Sequence, residues 1–326
     1  MRRHLAILDD YQHVAFDLAD WDDVRANFSI DHFDEALPAE GREAILGTYE
    51  AIVAMRERTP FPAALLDRLP NLRLLVTTGM WNRAIDMEAA ARLGIVVSGT
   101  DSSTHAPVEL AWALILGLAR RIHEEDAAMR RGDWQTGMGV ELHGKTLGVL
   151  GLGRLGREMA RLGRAFGMDV IGWSPNLSAE RAEKAGARLA SKEEFFSRAD
   201  VITIQLVLSD RTRGLVSAAE LNAMKPTALL VNTSRGAIVD EEALAAALAR
   251  GTIAGAALDV YGIEPLGPDH PLRRAPRTLL TPHVGITTEA NYRTYYTQAV
   301  EDVLGFVEGK PLRVLTVVPS QCPSRA

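Results

Sequence analysis

The stretch Thr146-Leu-Gly-Val-Leu-Gly-Leu-Gly-Arg-Leu-Gly-Arg157 carries the strongest structural signal of the chain. An apolar run precedes the pattern G-x-G-x-x-G and helical sequence follows it, which is the context in which this pattern indicates a dinucleotide-binding turn. Gly151 permits the tight turn, Gly153 lets a pyrophosphate approach the backbone, and Gly156 lets the helix pack closely on the strand. The N–H groups and the dipole at the start of the helix then attract the phosphates.

The sequence beyond the glycine pattern separates a dinucleotide site from a plain turn between a strand and a helix. A helical stretch covers Glu158–Phe166, and a second apolar strand follows at Met168–Trp173. Strand, glycine turn, helix and strand in this order predict a βαβ unit.

Composition restricts the class of protein and its partners. The chain has 326 residues, enough for two domains, and 47% of them are apolar, as in globular proteins. Its net charge of −6 provides no general basic field for nucleic acid or an anionic membrane. The single cysteine, Cys322, cannot form an intrachain disulfide, and its place in a polar tail argues against a nucleophile.

Two apolar segments are too short for targeting or membrane insertion. The run within Met1–Asp10 is shorter than the core of a secretory signal and ends in two aspartates, so it is interpreted as a first strand. Ala111–Ala119 is much shorter than a bilayer-spanning helix. We therefore expect a cytoplasmic protein with no nucleic-acid or membrane partner.

Strand-like and helix-like segments alternate along the whole chain, which predicts an α/β fold with mainly parallel sheets. The expected strands outside the βαβ unit are Leu5–Leu8, Ala51–Met55, Leu72–Thr77, Ile95–Ser98, Val201–Leu206, Ala228–Asn232, Gly255–Asp259 and Thr278–Leu280. The expected helices are Leu37–Gly47, Pro62–Arg68, one long helix over His105–Arg131, Ala218–Met224, Glu241–Arg250 and Thr288–Glu308, and a short apolar piece follows at Val314–Val318.

Polar side chains follow three of the later strands. Arg235, Glu264 and His283 each come shortly after a predicted strand, and ligands of doubly wound sheets bind outside the carboxyl ends of the strands. Taken singly, these residues are equally consistent with a surface arginine, a solvated loop acid and a structural histidine. Their occurrence at three separate strand ends favours a common site.

The three residue types together suit one reaction. An imidazole transfers protons near neutral pH, a neighbouring carboxylate orients the ring, and a guanidinium holds a substrate carboxylate through two parallel hydrogen bonds. With a nicotinamide held by the glycine turn, this chemistry is hydride transfer coupled to proton transfer on a 2-oxo or 2-hydroxy acid. The sequence lacks metal-ligand spacing, a nucleophile elbow and a lysine-containing phosphate loop, so competing site types find no support.

Five motifs follow one another in a fixed order between residues 141 and 285: Glu141–Gly156, Met224-Lys-Pro226, Asn232–Asp240, Ala257–Val260 with Glu264-Pro265, and Thr281-Pro-His-Val-Gly285. In these motifs the chain resembles the D-isomer-specific 2-hydroxyacid dehydrogenases, a family that includes phosphoglycerate dehydrogenases and glyoxylate/hydroxypyruvate reductases. The resemblance implies two Rossmann-like doubly wound domains with an active-site cleft between them, NADP or NAD as cofactor, and a homodimer.

The resemblance also implies roles for individual residues. Residues 1–100 and 285–326 would form a discontinuous substrate-binding domain, and residues 101–284 the dinucleotide-binding domain. The catalytic trio would be Arg235, Glu264 and His283, with Asp259 near the nicotinamide carboxamide and Thr104 near the cofactor. The expected cofactor contacts are Thr104, Gly151, Gly153, Arg154, Leu155, Gly156, Ser174, Thr233 and Asp259, and the expected substrate contacts are Arg56, Gly79, Met80 and Trp81.

Three loops depart from the family pattern. The family's Gly-x-Gly-x-Asp-Asn-Ile-Asp loop is Gly79–Asp86 here, and Trp81 replaces a glycine where substrate approaches the backbone. The family's Arg-Ser-x-Thr loop is matched only in part by Met55–Thr59, and Gln205–Asp210 lacks the usual histidine and proline. Trp81 is expected to line the substrate entrance, the alternative being a ring packed in the core of its own domain.

The sequence leaves other functions and the choice of cofactor open. A relative of this fold could act as an NAD-sensing corepressor scaffold, or oxidise a non-chiral acid such as formate or phosphite. Ser174 follows the second dinucleotide strand where NAD enzymes usually carry an acidic residue. A serine does not repel a 2′-phosphate, so NADP is placed slightly ahead of NAD.

Overall fold

The structure is a computed structural model, and it describes residues 3–316 of the chain. Cys322 and the end of the apolar piece Val314–Val318 lie outside the described residues. The chain forms two compact units. Unit 1 comprises the chain up to Ser103 and again from Thr287, and unit 2 comprises Thr104–Ile286. The predicted boundaries lay after residues 100 and 284.

Unit 1 is built on a five-stranded parallel sheet in the order β2-β1-β3-β4-β5. Its strands are β1 (Arg3–Ile7), β2 (Phe28–His32), β3 (Ala51–Ala54), β4 (Leu74–Thr77) and β5 (Val96–Gly99). The helices between them are α1 (Ala15–Leu18), α2 (Asp22–Asn27), α3 (Arg42–Leu46), α4 (Ala63–Leu66) and α5 (Met87–Arg92). The central strands β3 and β4 are buried along their whole length, as expected for a parallel sheet covered on both faces.

Unit 2 contains a seven-stranded parallel sheet in the order β12-β11-β10-β9-β6-β7-β8. The strands are β6 (Thr146–Leu150), β7 (Asp169–Trp173), β8 (Arg188–Leu189), β9 (Val201–Ile204), β10 (Leu229–Asn232), β11 (Gly255–Leu258) and β12 (Thr278–Leu280). The helices are α6 (His105–Ala119), α7 (Ile122–Arg131), α8 (Arg154–Ala165), α9 (Ala179–Lys184), α10 (Lys192–Arg198), α11 (Ala218–Ala223) and α12 (Glu241–Arg250). Two parallel sheets with flanking helices confirm the predicted α/β fold class.

Strand register brings the functional loops of unit 2 to one edge of its sheet. The last residues of six neighbouring strands pair across the sheet in a single row: Trp173, Leu150, Ile204, Asn232, Leu258 and Leu280. Each of the loops that follow these residues therefore starts at the same carboxyl edge, which is where parallel sheets bind ligands.

The long helix predicted over His105–Arg131 is wrong, because the structure divides it into α6 and α7. Arg121 has a left-handed backbone, with a φ of 54°, and no helix continues through such a residue. Its side chain is paired with Glu124 in the first turn of α7. The carbonyl of Ala119 at the end of α6 accepts a hydrogen bond from the N–H of Val140 (2.7 Å), so the following segment stabilises the break.

The final helix, α13 (Glu289–Val307), belongs to unit 1. Thr288 accepts a hydrogen bond from the N–H of Asn291 at its start, and its buried face carries Tyr292, Tyr295 and Tyr296. Among the described residues, no helix is both long enough and apolar enough to cross a membrane.

Candidate active site

The glycine turn between β6 and α8 fits the pyrophosphate of a dinucleotide. Gly151 has a φ of 101°, and a Cβ there would lie 2.9 Å from the carbonyl oxygen of Gln205. A Cβ on Gly156 would lie 2.0 Å from the carbonyl oxygen of Gly151, so only glycine lets α8 pack onto the turn. A Cβ on Gly153, by contrast, would point into open space, and no side chain caps the first N–H groups of α8. The turn therefore leaves both room and hydrogen-bond donors for phosphate oxygens.

His283 and Glu264 form a hydrogen-bonded pair at the carboxyl edge of unit 2. His283 Nδ1 lies 2.5 Å from Glu264 Oε2, and the other carboxylate oxygen accepts the N–H of Tyr261 at 2.8 Å. Both side chains keep contact with solvent, since His283 is 40% exposed and Glu264 is 34% exposed. The carboxylate thus fixes one ring nitrogen, and the opposite nitrogen is left for a ligand.

The surroundings of Glu264 favour its ionised form. Burial by itself raises the pKa of this carboxyl, but the hydrogen bond and charge of His283, the N–H of Tyr261 and the charge of Arg235 outweigh it. The pKa of Glu264 therefore lies below its usual range, and the group is a carboxylate at neutral pH.

Asp259 holds the loop that carries His283. Its buried carboxylate accepts hydrogen bonds from Thr281 Oγ1 (2.6 Å) and from the N–H groups of Val284 (2.8 Å) and Gly285 (2.9 Å). Burial raises the pKa of Asp259 although these hydrogen bonds act in the opposite direction. His283 itself has a left-handed backbone with a φ of 55°, which is uncommon for a non-glycine residue. Here the hydrogen bonds of Asp259 to the two residues that follow hold this backbone in place.

Arg235 lies in the neighbouring loop after β10 and completes the cluster. Its guanidinium donates to the carbonyl of Ser234 (2.8 Å), and its charge contributes to the lowered pKa of Glu264. A Cβ on the adjacent Gly236 would lie 2.0 Å from the carbonyl carbon of Tyr261, so the two loops pack backbone against backbone. The structure therefore brings the three residues of the predicted trio together.

Tyr261 is a member of this cluster that the sequence did not single out. Its N–H donates to Glu264, while its hydroxyl lies within hydrogen-bond distance of the carbonyls of Leu258 (3.2 Å) and Thr281 (3.0 Å) and shares its single proton between them. One residue thus links the end of β11, the loop of Glu264 and the loop of His283. The only sequence signal was its place between Asp259 and Glu264 in the motif, which does not indicate a hydroxyl contact.

The predicted substrate contacts lie in two loops of unit 1. Arg56 follows β3 with a φ of 52° and donates from Nη1 to the carbonyl of Thr78 (3.0 Å). Gly79, Met80 and Trp81 follow β4. Gly79 is buried, whereas Met80 and Trp81 are exposed, so the alternative of an indole in the core of its own unit is wrong.

Comparison with known proteins assigns the family. A sequence model described as D-isomer specific 2-hydroxyacid dehydrogenase, NAD binding domain, matches residues 112–285. A glyoxylate reductase of Aeropyrum pernix is 44% identical over 256 residues, which are 76% of either chain. A D-3-phosphoglycerate dehydrogenase of Archaeoglobus fulgidus is 38% identical over 279 residues, which are 85% of this chain and 53% of the relative. The crystal structure of a phosphoglycerate oxidoreductase from Vibrio cholerae superposes with a TM-score of 0.88 at 37% identity, covering 94% of this chain and 99% of that one.

The chain belongs to the D-isomer-specific 2-hydroxyacid dehydrogenase family. This dehydrogenase is therefore an oxidoreductase that uses a nicotinamide dinucleotide and acts on a small hydroxy acid or oxo acid. The predicted family, enzyme class and cofactor type are confirmed.

The remaining predicted cofactor contacts of this dehydrogenase lie near the same edge of unit 2 or at its first helix. Thr233 follows β10 and accepts a 3.4 Å hydrogen bond from Gln205 Nε2. Arg154 and Leu155 open α8, and Thr104 precedes α6. Their contacts with a dinucleotide stay predictions.

The end of β7 shows which groups are available for the adenosine ribose. Ser174 is half-buried, and the exposed Arg181 approaches the carbonyl of Asn176 at 3.5 Å. A cation that the sequence did not single out lies nearby, because Lys192 Nζ is 5.9 Å from the ring centroid of Trp173. Lys192 is also paired with Glu220 at 2.7 Å, so its charge is partly balanced.

Proposed function

We propose that this dehydrogenase reduces a small 2-oxo acid to the corresponding D-2-hydroxy acid, and catalyses the reverse oxidation, with His283 as the acid–base group. The observation that carries the proposal is the His283–Glu264 pair in loops held by Asp259 and Tyr261. The pair lies at the same sheet edge as the glycine turn, since their strands end in register.

Each residue of the cluster has one role in this reaction. A bound nicotinamide supplies the hydride, or accepts it in the reverse direction. His283 keeps Nδ1 on Glu264 and uses Nε2 to give a proton to the substrate oxygen or to take one from it. Glu264 stabilises the imidazolium by its charge. Arg235 binds the substrate carboxylate with the planar fork of its guanidinium and polarises the adjacent carbonyl.

The substrate side chain is assigned to the loops of unit 1. Arg56, Gly79, Met80 and Trp81 are proposed substrate contacts, because these loops match the family's substrate loops in part and depart from them at Trp81. The cofactor is assigned to the glycine turn with Arg154 and Leu155, and to Thr104, Ser174, Thr233 and Asp259.

We also propose that NADPH is accepted at least as well as NADH. Ser174 carries no charge that would repel a 2′-phosphate, and the cations of Arg181 and Lys192 lie near the same strand end. The Ser174→Asp variant should lose NADPH activity more than NADH activity, roughly tenfold, because a new carboxylate would face the phosphate. Catalytic efficiencies with both reduced cofactors test this, and a tenfold preference of the wild type for NADH, about 1.4 kcal/mol, would reject it.

A homodimer is the proposed assembly. The segment between α7 and β6 contains no helix or strand, and it leaves Trp134 75% exposed and Met138 91% exposed. Ile122 and Met129 on α7 are exposed as well. Exposed apolar residues that gather on one face often mark an interface, and a second copy of the chain is the occupant that the family implies. In sedimentation analysis the wild type should be a dimer, and the double variant Trp134→Ser, Met138→Ser should be a monomer. The cytoplasmic location stays a prediction.

A reductase panel tests the proposed function. Purified protein is assayed with glyoxylate, hydroxypyruvate and larger 2-oxo acids, each with NADH and with NADPH, and with formate or phosphite plus the oxidised cofactors. The proposal requires turnover of at least one 2-oxo acid. Cofactor binding without turnover of any substrate would instead indicate a scaffold, and oxidation of formate or phosphite alone would indicate a dehydrogenase of non-chiral acids.

A further inference from the structure

The segment that carries Glu264 has little regular structure of its own. Residues 262–270, called the Glu264 loop below, form no helix or strand. All of them except Leu266 and His270 are exposed, and Ile263, next to Glu264, is 82% exposed. Burial in the hydrophobic core therefore contributes little to the position of Glu264, and polar contacts from neighbouring elements are needed to hold it.

Glu241 supplies such contacts from outside the loop. Its Oε1 accepts the N–H of Gly262 at 2.8 Å, and its Oε2 lies 3.4 Å from His270 Nε2. A Cβ on Gly262 would lie 3.3 Å from Glu241 Oε2, so the carboxylate lies directly against the loop backbone. Because the two partners stand on either side of Glu264 in the chain, one carboxylate holds both ends of the Glu264 loop.

The contact between Glu241 and His270 has a defined polarity. His270 Nδ1 accepts the N–H of Leu272 at 3.4 Å, so the neutral ring carries its proton on Nε2 and directs it at Glu241. Both side chains are largely buried, since Glu241 is 16% exposed and His270 is 26% exposed. A hydrogen bond to an ionised acceptor is stronger than one to a neutral acceptor. The carboxylate therefore binds both partners more strongly than an uncharged side chain would.

Glu241 itself stands on a well-supported element. It is the first residue of α12, where the helix dipole stabilises a carboxylate. The helix is buried in the core of unit 2 through Leu244, Ala247 and Leu248. The segment that leads into α12 carries Arg235, so Glu241 joins the segment of Arg235 to the loop of Glu264.

We infer that Glu241, together with His270, is a positioning residue for the reaction, because it holds Glu264 where its carboxylate meets His283. The inference rests on the proposed function, in which Glu264 stabilises the imidazolium. The described contacts of the Glu241 carboxylate are with Gly262 and His270, so Glu241 acts through Glu264. Its removal should lower the rate of the chemical step while substrate and cofactor still bind. The loss should not exceed that caused by removing the charge of Glu264.

The test uses Glu241→Ala with glyoxylate or hydroxypyruvate and a saturating reduced cofactor. This variant should lower kcat roughly three- to tenfold, with KM for the substrate within about twofold of the wild-type value. Glu241→Gln keeps an oxygen that accepts the N–H of Gly262 and should retain most of kcat. His270→Ala removes only the second partner, so it should show the same pattern with a smaller loss.

Asp240→Ala is the matched control. The exposed Asp240 caps the same helix by accepting the N–H of Ala243 at 3.0 Å, and this described contact of its side chain lies within α12. Loss of the cap should lower the Tm at least as much as Glu241→Ala does, but kcat should stay near the wild-type value. Thermal unfolding and cofactor binding verify that all variants are folded.

A double-mutant cycle separates positioning from general support. In a Glu264→Gln background no charge is left to position, so Glu241→Ala should lower kcat by less than about a further twofold. The inference would be overturned by losses that multiply independently in the double variant. An unchanged kcat in Glu241→Ala and His270→Ala, or an equal loss in Asp240→Ala, would overturn it as well, while turnover by the wild type still upheld the proposed function. Absence of wild-type turnover with every 2-oxo acid would overturn both.

Discussion

Two loops that follow strand ends, residues 281–285 in unit 2 and residues 78–83 in unit 1, are both held by buried hydrogen bonds but present different side chains. The first is fastened by three hydrogen bonds to the buried carboxylate of Asp259, and it carries His283 against Glu264. The second is fastened through Asn82 and Gly79, yet it holds Trp81 out in solvent.

In the proposed function the first loop carries the chemistry of the reaction and the second the choice of substrate. Proton transfer needs reacting atoms placed to within a fraction of an ångström, so the His283 loop is restrained by buried polar contacts and follows the family motif. Side-chain recognition needs only a complementary surface, so the loop over residues 78–83 can change its residues on a fixed backbone. Substitutions in the first loop should therefore reduce turnover of every substrate, and substitutions in the second should change the order of substrates.

The largest expected effect is that of His283→Ala. Loss of the acid–base group should reduce kcat about 100- to 10,000-fold for all 2-oxo acids, while fluorescence titration shows nearly unchanged cofactor binding. Near-normal turnover in this variant would show that His283 is not the acid–base group, and the loop of residues 281–285 would then have no special role in the chemistry.

Arg235→Lys should have the next largest effect, a loss of roughly 10- to 150-fold in kcat/KM. This loss corresponds to one hydrogen bond to a charged group. An ammonium is a point charge and cannot reproduce two parallel hydrogen bonds to a carboxylate. Steady-state kinetics on two 2-oxo acids of different size checks this, because the loss should be similar for both. A lysine variant with wild-type efficiency would mean that another residue binds the carboxylate.

Glu264→Gln should change the pH dependence of the reaction. The pKa of Glu264 is lowered, so its carboxylate is charged at neutral pH. The charge is lost only when the pH falls below the usual range of a glutamate pKa. That charge stabilises the imidazolium, which is the proton donor in reduction. Its removal should lower the reductive kcat/KM at neutral pH about tenfold, or 1.4 kcal/mol, and should abolish the acidic limb that protonation of Glu264 produces.

The control for this profile is Glu241→Gln. Glu241 accepts the N–H of Gly262 in the same loop and pairs with His270, so it supports the loop without touching His283. The Glu241→Gln profile should keep its acidic limb. Identical profiles in both variants would show that the Glu264 charge has no special role.

Tyr261→Phe should give the smallest effect. The variant loses the hydroxyl that joins Leu258 to Thr281, worth about 0.5 to 1.5 kcal/mol, so kcat should fall roughly two- to tenfold. Because the residue acts by positioning His283, the KM for substrate and the affinity for cofactor should stay close to wild type. A variant that loses cofactor affinity and thermal stability but not kcat would mark Tyr261 as purely structural.

The sequence predicted most of the sheet of unit 2 because its strands are short apolar runs that alternate with helical stretches. β2 was missed although Phe28-Ser-Ile-Asp-His32 alternates apolar and polar residues, because this edge strand has only two apolar residues and forms no continuous apolar run. The short helices α1, α2, α5, α9 and α10 and the two-residue strand β8 are too brief for a clear periodic pattern. The break after α6 depends on the left-handed backbone of Arg121, which no periodicity indicates.

Only part of the site could be predicted from the sequence. Arg235, Glu264 and His283 could be found because each follows a strand, and strand register then brings them to one edge. The bonds of Asp259 to Val284 and Gly285, and those of Tyr261 to Leu258 and Thr281, depend on the backbone path of the loops. Sequence spacing gives no information about that path.

The most direct measurement is the stereochemistry and stoichiometry of the product formed from a prochiral 2-oxo acid. Wild-type protein is incubated with phenylpyruvate or hydroxypyruvate and reduced cofactor, and the product is separated by chiral chromatography. We expect one D-2-hydroxy acid for each NADPH or NADH consumed. Formation of the L-acid, or no product with either cofactor at any pH between about 5 and 9, would contradict reduction of a 2-oxo acid through the His283–Glu264 pair.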